Sequence, residues 1–446
     1  MSRSESSPPA RGLLGHQPEY AADPLGTFRR WSATYGPAVP LRFGPSRALL
    51  VTSPAAVADV LVTQADAFRK APLVRRLSRR VIGESIVSSE GPAWARQRSS
   101  LAPAFARPRM EAQVPAIARE VREMRGRWIE RSRIPVLAET MRLSQRIAAR
   151  VLFGVEVNDD DVGTVAEALE VTSADFQHGV DHPLSLAVPE WLPTPRKRRL
   201  GRAVATLDDV VGRMISARRR DPREGADVLG HLIRVQPTMP WLTDRLIRDE
   251  VVTFLVESRE DPALLLTWAL GLLAHDPNGL ADRAAAEVRD VIGDADPTVT
   301  DLARLPFIVA VLNEALRLYP LVYGTGREAI RDCVVDGVEV KSGTLVLLGF
   351  DAMNHDPARY EDPHVFRPDR WLDDPGDAAA GAFTPFGLGP RRCLGEPMAW
   401  TVAIVGIAIL ARDLRLRLDE PQLPAPAIRL SLRPSREIWV TVDART

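Results

Sequence analysis

The chain has 446 residues, 45% of them apolar, and Lys+Arg and Asp+Glu balance at 58 each. That length can bury a large core, and the neutral balance gives no general attraction to nucleic acid or to an anionic membrane. The two cysteines, Cys333 and Cys393, exclude a disulfide framework and fit a reducing compartment.

Residues 1–20 are rich in Ser and Pro, which predicts a disordered start. They contain no apolar segment of the secretory kind. Pro24 to Tyr35 has helical spacing. Val39 to Val51 alternates and breaks at Gly44-Pro45, which predicts a two-stranded hairpin. Ser53-Pro54 opens a helix through Thr63. From Ala93 to Arg234 the pattern is mostly helical, interrupted at Glu156 to Asp161 and at the proline-rich Val180 to Arg196. A long helical pattern from Leu242 to Ala274 is expected to break at Asp261-Pro262. Its most apolar run, Leu264 to Ala274, is about half the roughly 20 residues a membrane span needs. No span is expected, and the chain is placed in the cytoplasm.

Pro306 opens a helix that stops at Tyr319-Pro320. Arg327 to Val335 and Val338 to Val340 flank Asp336-Gly337, a type I′ turn signal. Thr344 to Leu348 forms a further strand. Asp356 to Pro385 reads as irregular coil, and Glu396 to Leu414 as an apolar helix. The sum is mainly α with a smaller β region, and a long irregular stretch precedes one cysteine.

That stretch ends in Phe386-Gly-Leu-Gly-Pro-Arg-Arg-Cys393-Leu-Gly395. Gly387 and Gly389 permit tight positive-φ geometry. Arg391, Arg392 and the start of the next helix favour an ionised thiol. Cys333, in a strand without such neighbours, reads as an ordinary packing residue.

The loop resembles the haem loop of the cytochrome P450 family, Phe-Gly-x-Gly-x-x-x-Cys-x-Gly, at every fixed position. The resemblance implies the P450 fold as one domain over residues 21–446, with haem b between two long helices. It makes Cys393 the axial iron ligand, with Phe386, Gly387 and Gly395 shaping the loop. It assigns Trp94, Arg98, Arg327 and Arg391 to the haem propionates. Glu314 and Arg317, three apart on one helix face, match the family's structural Glu-x-x-Arg pair, and Arg370 matches its third member.

One segment departs from the family. Its oxygen-side helix usually reads Ala/Gly-Gly-x-Glu/Asp-Thr, with the acid and Thr relaying protons. Here the aligned residues are Glu257-Ser258-Arg259-Glu260-Asp261-Pro262. Glu257 and Asp261 share a helix face, so each raises the pKa of the other. Three readings stay open. In the first, Asp261 and Ser258 replace the usual relay beside Glu260, the one position that matches the family, and normal oxygenation proceeds. Alternatively, the carboxylates run non-hydroxylating chemistry: desaturation, coupling, peroxide-dependent or acid–base rearrangement. In the third, Glu257 and Asp261 only pair with Arg259 or another arginine and the oxygen chemistry is impaired; from another class altogether, the chain is a haem-thiolate binder or sensor without turnover.

The family resemblance implies a monooxygenase fed by ferredoxin and ferredoxin reductase. Its substrate is expected to be a hydrophobic small molecule, a terpenoid or polyketide intermediate. Candidates to line the pocket are Phe176, Phe254, Val322, Tyr323 and Leu432.

Overall fold

The computed structural model describes residues 7–155, 159–182, 185, 188, 192–221, 227–276, 278–373 and 382–445. The chain divides into two compact units, Met1–Val74 with Asn313–Cys393, and Arg75–Leu312 with Leu394–Thr446.

The first unit is built on a five-stranded sheet. Its order is Ala38–Phe43, Ser46–Val51, Leu345–Leu348, Thr325–Ala329, Phe68–Lys70. The expected first hairpin pairs Leu41 with Ala48, and the second strand then runs parallel to Leu345–Leu348, with Leu49 opposite Val346. One face buries Leu49, Val51, Val57, Val346 and Leu348; the other packs Val39, Leu41 and Leu50 on Phe28 and Trp31. These sides follow from side-chain alternation along each strand.

Arg327 to Val335 is not one strand. Thr325–Ala329 belongs to the large sheet, while Cys333–Val335 pairs only with Val338–Val340. Asp336 and Gly337 both take positive φ, 50° and 73°, as a type I′ turn requires. Near the start of the chain Gly12–Leu14 is a 3₁₀ turn and Gln17–Ala22 a helix. Between them the buried ring of His16 accepts from Arg42 N at 2.9 Å and lies 2.8 Å from the Pro8 carbonyl. Residues 1–6 lie outside the described residues, as does most of the proline-rich loop after Asp181.

The second unit is mainly helical. Helix Asp244–His275 is capped by Thr243, whose hydroxyl accepts from Leu246 N, and it packs along Val136–Phe153. Thr140 and Thr267 hydroxyls meet between these helices at 2.7 Å. The expected break at Asp261-Pro262 does not occur, and the helix continues through Pro262. Proline has no N–H for the carbonyl four residues back, that of Ser258. Ser144 Oγ donates to that carbonyl at 2.6 Å and replaces the missing donor. A small sheet, Arg133–Pro135, Trp439–Ala444 and Leu414–Leu418, and the hairpin Pro426–Ile428 with Leu432–Pro434 complete the unit. Among the described residues, no helix is long and apolar enough to cross a membrane.

Candidate active site

The Cys393 loop is shaped by its glycines. Gly387 and Gly389 hold φ of +73° and +68°, where L side chains are strained. A Cβ at Gly389 would lie 2.0 Å from the Leu61 carbonyl oxygen, so the loop also needs glycine for close approach. Gly387 N donates to Thr384 O at 2.9 Å, and Cys393 N to Phe386 O at 2.9 Å. A 3₁₀ turn, Gly389–Arg391, carries Arg391. The Cys393 side chain is left exposed on a loop fixed by its own backbone bonds. Cys333 is half-buried in its strand, packs against the sheet core, and has its thiol pKa raised by burial. It remains a packing residue.

Glu314, Arg317 and Arg370 come together in the first unit. Arg317 and Glu314 are wholly buried and joined by two bonds of 2.8 Å each. Arg370 Nε donates to Glu314 Oε1 at 3.1 Å. The spacing of the pair did not disclose the other partners. Trp371 Nε1 donates to Glu314 Oε2 at 2.9 Å, and Arg367 N to Oε1 at 3.0 Å. Arg317 Nη1 reaches the carbonyls of Asn354 and Pro363, and its guanidinium lies 5.0 Å over the Tyr360 ring. Two buried charges are therefore fully hydrogen-bonded, which such a pair requires. The network ties the irregular stretch before the Cys393 loop to the helix Pro306–Leu318.

In the second unit the unusual helix segment meets the hairpin. Ser431 Oγ donates to Asp261 Oδ1 at 2.7 Å. Asp261 is half-buried by area but lies deep in the unit, and its pKa is pushed up to about 7 by burial and then by the Glu257 charge, against the Ser431 bond. Glu260 is also pushed up to about 7, by burial first, with Arg433 opposing and Asp261 adding to the rise. Arg433 Nε stands 3.8 Å from Glu260 Oε1. Both atoms are buried, and neither makes a hydrogen bond among the described residues. Arg259 turns to Glu170 at 3.0 Å, and Arg433 lies 3.8 Å from the same carboxylate. Arg259 is thus engaged away from Asp261, whose partner is a hydroxyl. Glu257 is exposed, and the Ser258 hydroxyl bonds back to the Phe254 carbonyl. Neither Ser431 nor Arg433 was singled out in the sequence, because a short hairpin far along the chain carries no local sign of its partner.

Trp94 and Arg98 are one helical turn apart on Gly91–Leu101, both half-buried. Gln97 between them is buried and donates to the Glu84 carbonyl at 2.6 Å. Arg327 sits in the large sheet opposite Val346 and Lys70, and Gly395 caps the helix Glu396–Asp413. The pocket candidates fall in both units. Val322 is exposed in the first, and Tyr323 there meets Tyr20 hydroxyl to hydroxyl at 3.3 Å. In the second, Phe254 packs on Phe105, Phe176 is half-buried, and the buried Leu432 accepts from Trp268 Nε1.

The family model described as Cytochrome P450 matches residues 6–440. A cyclooctat-9-en-7-ol 5-monooxygenase of Streptomyces melanosporofaciens is 33% identical over 92% of this chain and 89% of its own length. A cyclooctatin synthase from the same organism is 30% identical over 98% and 94%. A pentalenene oxygenase of Streptomyces avermitilis is 28% identical over 99% and 97%. The chain belongs to the cytochrome P450 family. It is a P450 monooxygenase, hence an oxidoreductase, and its mainly α architecture with small sheets is the P450 fold.

The family implies a haem-thiolate cofactor. The donor chemistry of the chain fits it. Among the described residues no group of three or more His, Cys, Asp or Glu is placed to hold a bare metal ion. Iron already held by a macrocycle needs only one further donor from the protein, and a cysteine on a loop closed by its own backbone bonds would suit that need.

Proposed function

We propose that this P450 uses haem b to insert one oxygen atom into a hydrophobic terpenoid, with electrons from a ferredoxin and its reductase, in the cytoplasm. The observation that carries the haem-thiolate chemistry is the exposed Cys393 thiol on its two-glycine loop. The substrate class is supported by the names of three relatives, two of which denote oxygenases of cyclooctat-9-en-7-ol and pentalenene.

In this reading the Cys393 thiolate would hold the haem iron, and Phe386, Gly387 and Gly395 would keep its loop in shape. Trp94, Arg98, Arg327 and Arg391 would hold the propionates, the arginines through charge-assisted hydrogen bonds. When bound, the haem supplies the activation of dioxygen. Asp261 holds and passes a proton at its carboxyl, which a pKa of about 7 suits at neutral pH. Glu260, of similar pKa, and Glu257 and Ser258 on the same helix support that transfer. Phe176, Phe254 and Leu432 of the second unit, and Val322 and Tyr323 of the first, are the candidates to meet the substrate with apolar surface. A second reading rests on the same carboxyl pair: Glu257 and Asp261 would direct acid–base rearrangement, coupling or desaturation instead of hydroxylation.

Deleting the gene, feeding parent and mutant oxygen-18 gas, and comparing small molecules by mass spectrometry tests both. A parent-only metabolite with one heavy oxygen, and its deoxy precursor in the mutant, is expected. A parent-only product without label would support the second reading.

A further inference from the structure

The hairpin Pro426–Ile428 with Leu432–Pro434 touches the carboxylate segment at two consecutive residues. Ser431 takes Asp261 at 2.7 Å, and Arg433, two residues further, stands 3.8 Å from Glu260. Ser431 is buried, so its hydroxyl is committed to this contact rather than to solvent. We propose that Ser431 is a positioning residue that fixes the orientation and proton-holding oxygen of Asp261. The inference rests on the reading of Asp261 as the proton-passing group.

The chemistry follows from the geometry. A hydroxyl that donates to Oδ1 occupies that oxygen as an acceptor, which leaves Oδ2 as the oxygen that takes and gives the proton. A carboxyl turns broadly about its terminal torsion, and one directed donor narrows that rotation. The bond also favours the ionised form, so it opposes burial and the Glu257 charge and keeps Asp261 able to release its proton near neutrality. The other charged groups facing this spot are Glu260 and Arg259 from the same helix, Arg433 from the hairpin and Glu170 from the helix Asp159–Asp181. Arg433 engages Glu260 and Glu170, so the hairpin's charge is spent there and its hydroxyl alone meets Asp261.

The test uses the reconstituted holoenzyme with its electron donors and a turned-over substrate. The readouts are the pH profile of product formation and the share of reducing equivalents lost to peroxide. Without the Ser431 bond the Asp261 carboxyl loses its proton only at higher pH. Ser431→Ala is therefore expected to move the alkaline limb upward by about one pH unit, to raise peroxide loss several-fold, and to leave KM within about two-fold. Ser431→Thr restores the parent profile, and Ser431→Val, of the same shape without the hydroxyl, does not. Haem content equal to the parent's shows that each variant folds, and if Ala fails to fold the Thr and Val pair decides. An unmoved limb in both Ala and Val overturns the proposal. Asp261→Asn separates the two layers. If it abolishes the limb while Ser431→Ala leaves it unmoved, Asp261 passes the proton and Ser431 is structural. If it leaves the limb in place, the reading of Asp261 itself fails, and the role of Ser431 with it.

Discussion

Ser144 donates its hydroxyl to the Ser258 carbonyl at 2.6 Å, the carbonyl that Pro262 deprives of its helical donor. One side chain on a neighbouring helix thus lets proline stand inside the helix Asp244–His275, next to the carboxylates. Ser144→Ala is expected to leave that part-buried carbonyl unmatched and to destabilise the protein by about 1–3 kcal/mol in denaturant melts. Pro262→Ala restores the backbone donor, so adding Ser144→Ala to it should cost under about 1 kcal/mol. Equal costs in both backgrounds would show that the bond does not compensate for the proline.

Glu314 accepts from Arg317, Arg370, Trp371 and the Arg367 backbone. Removing it strands a wholly buried guanidinium, so Glu314→Ala is expected to cost about 3–5 kcal/mol and to lower the yield of folded protein sharply. Trp371→Phe loses one donor and part of a buried ring, which is expected to cost less, about 1–2 kcal/mol. Thermal melts distinguish the two; similar effects would contradict the weight given to the ion pair.

Three buried carboxyls set a pH dependence of stability. Glu250 is pushed up to about 8 by burial, against the Ile86 N–H bond and with the Asp249 charge adding, while Glu260 and Asp261 reach about 7. Each folded-state pKa exceeds its unfolded value. Their stabilising contribution is therefore fully present below about pH 4 and lost as pH rises through about 7 to 8. Glu250→Gln removes one titration and should gain about 2 kcal/mol over the parent at about pH 9, with little difference at about pH 5. Melting curves at both pH values check this; a loss of stability at the higher pH would contradict it.

Cys393→Ser is expected to leave the fold intact and to abolish the thiolate signature of the carbon monoxide complex, whereas Cys333→Ser preserves it. Gly389→Ala should fail differently. A methyl group there meets the Leu61 carbonyl at 2.0 Å in a positive-φ residue, so the loop must shift and haem incorporation should fall. Absorbance titration of bound haem reads both.

The legible parts of this protein were those written locally. The type I′ turn at Asp336-Gly337, the Ser53 cap and the glycines before Cys393 each act within a few residues, and their spacing discloses the geometry. Partners brought in by tertiary contact were not legible. Pro262 predicted a break because its remedy, Ser144, lies on another helix. Asp261 was legible as half of a carboxyl pair, and burial and then the Glu257 charge do raise its pKa, but its hydrogen-bond partner Ser431 lies too far along the chain to be read. Near the start of the chain the His16 ring is held by Arg42. Composition cannot express such a contact.

The most direct test of the proposed oxygenation supplies purified enzyme with ferredoxin, ferredoxin reductase, NADPH, oxygen-18 gas and a panel of cyclic terpene hydrocarbons and alcohols. One heavy oxygen in a product, absent with Cys393→Ser, is the result expected. Turnover that yields only unlabelled products or peroxide across the panel would contradict terpenoid monooxygenation.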